Sequence, residues 1–204
     1  LRTNLGGGGI IKEKLAEWCF QEAPAKVAGG QIAFALVRAA QPALQARLAY
    51  LQGTLRLKAG DPVAATERFN EAARLDPGRE EYARALLGAR IAVAQKLMEG
   101  GDSAAAHRLA GTLERQLPGH PDILLLQGRL ALSDQHYEDA RRSLETALRK
   151  RPGDPDILFY LSGALERLER PADALAVIER AAAAAPRDAR TWLARGRLLL
   201  RLER

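Results

Sequence analysis

Pro121-Asp122-Ile123-Leu124 returns 34 residues later as Pro155-Asp156-Ile157-Leu158. Aligned without gaps, 121–154 and 155–188 agree at 10 of 34 positions, including Ala140 with Ala174, Ala147 with Ala181 and Pro152 with Pro186. A fixed period of this length marks a chain built by stacking one small unit, and it constrains the fold more than any other feature. The register extends back to 87–120, where Ala106 and Pro118 fall in phase, and to 46–79, where Gly53, Ala65, Phe69, Ala72 and Pro77 do. Seven residues, Glu80–Leu86, interrupt it, and 189–204 continues it through Trp192 and Gly196.

Each unit reads as two helices. The chain holds 39 Ala and 33 Leu against 18 Val, Ile and Thr together, a balance that disfavours a large sheet. Gly60-Asp61-Pro62 is a compact helix-turn-helix signal: a left-handed stop, an N-cap and a first-turn proline. Gly101-Asp102 repeats its first two parts, and a proline near each unit's end closes the second helix. Gly53, Gly128, Ser162 and Gly196 share one point of the first helix, and Ala65, Ala106, Ala140 and Ala174 one point of the second. Small residues at such points allow two antiparallel helices to approach closely, while Leu124, Leu158, Trp192, Phe69, Leu144 and Ile178 fill the space between. One pair cannot bury its own apolar face, so the units must stack.

This pattern resembles the tetratricopeptide repeat (TPR) family over 46–204. The resemblance implies an all-α fold, a right-handed superhelical solenoid of antiparallel helix pairs. The expected organisation is a glycine-rich tether at 1–9, an N-terminal helical pair at 10–45, repeats at 46–79, 80–120, 121–154 and 155–188, and the first helix of a further repeat at 189–204. Within 80–120 the seven added residues are close to two helical turns and predict a long helix over about 80–99. In 10–45, one helix is expected over Ile10–Glu22, with Ile11, Leu15, Trp18 and Cys19 on one side. A second is expected over Gln31–Ala40, bounded by Gly29-Gly30 and Pro42. The pair reads as a worn repeat capping the array, or its first helix as a segment lying in the array's groove. The chain begins without Met and stops within a repeat, so a longer protein is expected.

Catalytic and metal signatures are weak. Gly6–Gly9 lacks the Gly-Lys-Ser/Thr ending of a phosphate loop. His107, His120 and His136 fall at three different points of the repeat and cannot share a helical face as ligands. Cys19 has no nearby histidine to activate it and reads as a small buried hydrophobe. No catalytic residue, cofactor or metal is therefore assigned. Of the net charge of +6, +4 sits in residues 189–204, and no basic stripe interleaved with aromatics runs along the chain, so nucleic acid is not favoured as a partner. No apolar run is long enough to cross a membrane.

The family resemblance implies that the first helix of each pair lines a concave groove for a peptide or partner helix. Carried across by register, Tyr50, Ile91, Leu125, Phe159 and Leu193 make an apolar strip. Thr54, Gln95, Arg129 and Arg197 flank it, with Lys58, Arg167 and Arg201 further along. The arginines suit acidic side chains, and the strip suits an apolar or amphipathic segment. The Lys-and-Asn carboxylate clamp of chaperone-binding members is not matched, since Tyr50 and Thr54 stand at its points. The expected function is a non-enzymatic interaction scaffold in a bacterial assembly or envelope export complex, in cytoplasm or periplasm; 25 Arg against 6 Lys suggests a high-GC genome. Two alternatives stand: the TPR region of a larger enzyme, such as a glycosyl- or sulfotransferase, and a peptide-sensing regulator. Oligomeric state is left open.

Overall fold

The computed structural model describes residues 27–202, with side chains from residue 41 onward, and every element among them is an α-helix. In chain order these are α1 (Val27–Lys58), α2 (Pro62–Leu75), α3 (Glu80–Glu99), α4 (Ser103–Gln116), α5 (Pro121–Ser133), α6 (Tyr137–Lys150), α7 (Pro155–Arg167), α8 (Pro171–Ala184) and α9 (Ala189–Arg201). The chain divides into two units, with the boundary at Leu86/Leu87 inside α3.

The helix starts follow from local chemistry. Asp61, Asp102, Asp154 and Asp188 each accept a hydrogen bond from an early backbone N–H of α2, α4, α7 and α9. His120 does the same for α5 through Nδ1, 3.3 Å from the Asp122 nitrogen. Prolines open α2, α5, α7 and α8, where a missing N–H costs nothing. The turns within each pair share one left-handed residue at one register point: Gly60, Gly101, Gln135 and Glu169, with φ of 77°, 82°, 64° and 57°. Two of the four are not glycine.

One expectation fails. Pro42 does not end a helix: α1 runs from Val27 to Lys58 with Pro42 inside it. Proline removes one intrahelical bond, but Pro42 is exposed and flanked by Ala39, Ala40, Ala43 and Leu44, strong helix formers that carry the backbone through. The expected stop at Ala40 and start at residue 46 merge into one element. The helix expected over Ile10–Glu22 and the tether at 1–9 lie outside the described residues.

In the first unit, α1 packs on α2 through small residues. Ala46, Ala49, Ala72 and Tyr82 form the buried core, with Tyr50, Ala73 and Leu75 against it. A Cβ built on Gly53 would lie 2.7 Å from Phe69 Cε1, so the helices touch where no side chain intervenes. In the second unit the same contact recurs two repeats on: a Cβ on Gly128 would lie 2.5 Å from Leu144 Cγ. Two apolar clusters fill this unit. One joins α3, α4 and α5 through Leu87, Ala94, Ala106, Ala110, Leu113, Ile123, Leu126 and Leu130. The other joins α5 to α9 around Leu144, Ile157, Leu158, Leu161, Ile178 and Leu198.

Candidate interaction surface

The residues at the groove register of the first unit are largely engaged within it. Tyr50 is half-buried, its ring 5.6 Å from Phe69 and 5.2 Å from Tyr82. Burial, and then the neighbouring Glu81 carboxylate, push its hydroxyl pKa up. Thr54 Oγ1 donates back to the Tyr50 carbonyl at 3.0 Å, spending its polar atom on its own helix. Lys58 is exposed at the end of α1.

In the second unit some of the register points join a set of ring and cation contacts. Ile91 is half-buried against the α3–α4–α5 cluster, and Gln95 is half-buried beside it on α3. Leu125 and Phe159 are half-buried against the α5–α9 cluster. The Arg129 guanidinium lies 5.0 Å from the Tyr160 ring centre, and that ring meets Phe159 edge-on at 5.3 Å. Arg190 lies 5.1 Å over Phe159 and bonds to Asp156 at 2.8 Å. These contacts link α5, α7 and α9 through Arg129, Tyr160, Phe159 and Arg190. Leu193, on α9, is 74 % exposed.

The cations of this face divide into two kinds. Arg197 binds both oxygens of Glu166, at 3.1 and 2.6 Å, and Glu166 keeps only 14 % of its side-chain area exposed. Arg201 donates to the Glu166 carbonyl at 3.2 Å and to the Glu169 carboxylate. Arg190 is held by Asp156 and Asp188 together, which raises its pKa and lowers that of Asp188. These arginines are neutralised where they stand. Arg129 and Arg167 instead sit over aromatic rings, Arg167 6.0 Å from Tyr137, with no carboxylate among the described residues within ion-pair range.

Three participants escaped the sequence reading: Tyr160, Glu166 and Gly163. Gly163 stands at the register point that Arg129 and Arg197 occupy on α5 and α9, and a Cβ there would meet nothing within 4 Å. At the register point between the two arginines the chain therefore carries no side chain. Writing the groove register through every repeat would have revealed the glycine; the Arg197–Glu166 pairing, across 31 residues, leaves no local signal.

Two of the histidines make contacts that hold helix ends, His120 at the start of α5 and His107 at its end. His107 pairs with Asp134, which also accepts from Ser103 Oγ at 3.1 Å, tying α4 to the end of α5. The His107 hydrogen bond is the main cause holding Asp134 below the usual carboxylate pKa. No group of three or more metal-ligating side chains occurs among the described residues. No described helix is long and apolar enough to cross a membrane.

Comparison with known proteins agrees with this architecture. A family model described as tetratricopeptide repeat matches residues 91–155, 125–189 and 164–204. No curated protein sequence matches the chain. Among solved structures, MamA from Desulfovibrio magneticus is similar at 19 % identity, covering 78 % of this chain and 86 % of that one with a TM-score of 0.56. A thermophilic TPR protein of Thermus thermophilus is similar at 21 % identity over 93 % of this chain and 98 % of that one, TM-score 0.55. Yeast Tom70 is similar at 14 % identity over 90 % of this chain but only 38 % of its own, TM-score 0.57. At these identities the structural likeness is one of fold.

Proposed function

The chain belongs to the tetratricopeptide repeat family, and on that footing we propose that it is a protein-interaction scaffold that acts by binding rather than catalysis. In the second unit the binding surface is the face carrying Ile91, Gln95, Leu125, Arg129, Phe159, Arg167, Leu193 and Arg197; in the first it is the side of α1 carrying Tyr50, Thr54 and Lys58. The segment bound is a short apolar or amphipathic helix of a partner protein. One observation supports the reading: Leu193 is 74 % exposed, and Arg129, with no carboxylate among the described residues in ion-pair range, lies over the Tyr160 ring that meets Phe159. A helix laid there covers apolar surface with one side, approaches backbone at Gly163, and brings an acidic side chain to Arg129. Helices already packed within one unit lose little entropy on binding. The setting we favour is a bacterial assembly or envelope export complex, the bacterial source from composition and the kind of complex from the family resemblance.

The test uses amphipathic helical peptides selected by phage display on the whole chain. Leu193→Ala and Phe159→Ala should each weaken a selected peptide at least about tenfold, with circular dichroism unchanged. Arg129→Ala should abolish any preference for an acidic residue. Unchanged affinity in correctly folded Leu193→Ala and Phe159→Ala proteins would sink the assignment.

A further inference from the structure

Gly163 lies in the last two turns of α7, and a Cβ placed on it would meet nothing within 4 Å. On a helix the nearest surface neighbours of any position stand three and four residues away on either side. For Gly163 these are Phe159, Tyr160, Glu166 and Arg167. Each of the four is an arginine or holds one. Arg190 from α9 lies 5.1 Å over the Phe159 ring, and Arg129 from α5 lies 5.0 Å over the Tyr160 ring. Arg197 from α9 binds both oxygens of Glu166. A bare helical position is therefore bordered by residues that hold four guanidinium groups, drawn from three helices.

The four arginines are not equivalent. Arg190 is shared by Asp156 and Asp188, and Arg197 is taken by Glu166. Asp188 also accepts the Arg190 backbone N–H at the start of α9. The carboxylates of this region are thus committed. Arg129 and Arg167 hold none among the described residues; each rests instead over a ring, Tyr160 and Tyr137. A ring face orients a guanidinium without consuming its N–H donors, which stay open along its edge. Two arginines oriented in advance, with donors free, suit acidic groups and lose little freedom on meeting them.

Their spacing describes the ligand. Tyr160, which carries Arg129, and Arg167 are seven residues apart on α7, about 10.5 Å along its axis. Two turns of a second helix span the same length. Side chains at i and i+7 of a helix laid along α7 would reach the two arginines, and the residue midway would enter the space over Gly163. The corresponding points of α5 and α9 are filled by Arg129 and Arg197, so only α7 leaves that space. Lysines at the same two ligand positions would set cation against cation. On the footing of the interaction face proposed above, we propose that Gly163, Arg129 and Arg167 form a subsite for an acidic helix. That helix carries two carboxylate side chains seven residues apart and an apolar side chain between them.

Helical 15-residue peptides displayed on phage, with Glu, Gln, Lys or Leu at each varied position of an alanine frame, test this by selection on the whole chain and calorimetric titration. Selected sequences should carry Glu at two positions seven apart with Leu between. Changing either Glu to Gln should weaken binding at least about threefold. Arg129→Gln and Arg167→Gln should each do the same, and each should abolish the effect of one Glu. Gly163→Leu should weaken binding at least about tenfold while melting no earlier than the parent, a separation that a merely structural glycine would not give. Should Gly163→Leu melt early, the two arginine variants decide alone. Peptides that need Leu193 and Phe159 but ignore Arg129→Gln, Arg167→Gln and the loss of their own Glu residues overturn the subsite and leave the groove standing. Selected peptides without the seven-residue acid spacing overturn it as well. Peptides indifferent to Leu193→Ala and Phe159→Ala, or a library that yields no binder, overturn subsite and groove together.

Discussion

Gly128 and Gly163 are both helical glycines of the second unit, yet a methyl group on each has opposite consequences. On Gly128 it would enter Leu144, 2.5 Å away, inside a filled core; on Gly163 it meets open space. Gly128→Ala should therefore lower stability by about 1–3 kcal/mol, and Gly163→Ala raise it by about 0.5–1 kcal/mol, both read by denaturant unfolding. Gln135 holds a left-handed backbone that glycine holds at Gly60 and Gly101. Gln135→Gly should stabilise the fold by up to about 1 kcal/mol in the same measurement, the relieved strain being partly offset by a freer unfolded chain. This difference explains what the sequence could and could not reveal. Glycine at a close helix contact is enforced by sterics, so Gly53 and Gly128 stand out in register. A left-handed turn is merely cheaper with glycine, so Gln135 and Glu169 carry no mark. Asp134 gives a pH dependence. Its pKa is lower folded than unfolded, so its contribution is present above the unfolded value near 4 and is lost as pH falls through the folded one. Asp134→Asn should melt earlier than the parent at neutral pH, and the gap should close in strong acid.

Among elements, the helix starts were legible and the length of α1 was not. An aspartate followed by proline or a run of helix formers specifies a start through one hydrogen bond and one fixed dihedral, both local. Asp154 accepts from the backbone nitrogens of Asp156 and Ile157, at 3.1 and 3.2 Å. Asp154→Ala should cost about 1 kcal/mol, whereas His136→Ala, at a start whose side chain makes no cap bond, should cost much less. Both are checked by thermal melting. Pro42 reads in sequence as a helix stop but lies mid-helix, where its cost is weighed against a whole helix rather than one turn. Pro42→Ala should stabilise α1 and raise helical ellipticity, because it restores one backbone bond on an exposed surface.

At the scale of the molecule, equal positions carry unequal energies. Leu130 and Leu55 occupy the same register point, one 1 % and the other 67 % exposed. Leu130→Ala should cost about 2–5 kcal/mol in unfolding experiments, and Leu55→Ala well under half of that. The repeat period made the fold and the helix-mating surfaces readable, since each is a constraint on residue size. The pairing of Arg197 with Glu166 and of Arg190 with Asp156 was not, because long side chains choose partners by three-dimensional reach rather than by spacing. Within each unit the apolar clusters join helices that are close neighbours along the chain. Assembly then asks the backbone to close only short loops, and each closure is rewarded at once by burial against the adjoining helix. A chain wired this way can begin ordering at several places and grow outward. Its speed of folding should follow the strength of its strongest neighbouring pair rather than its overall length.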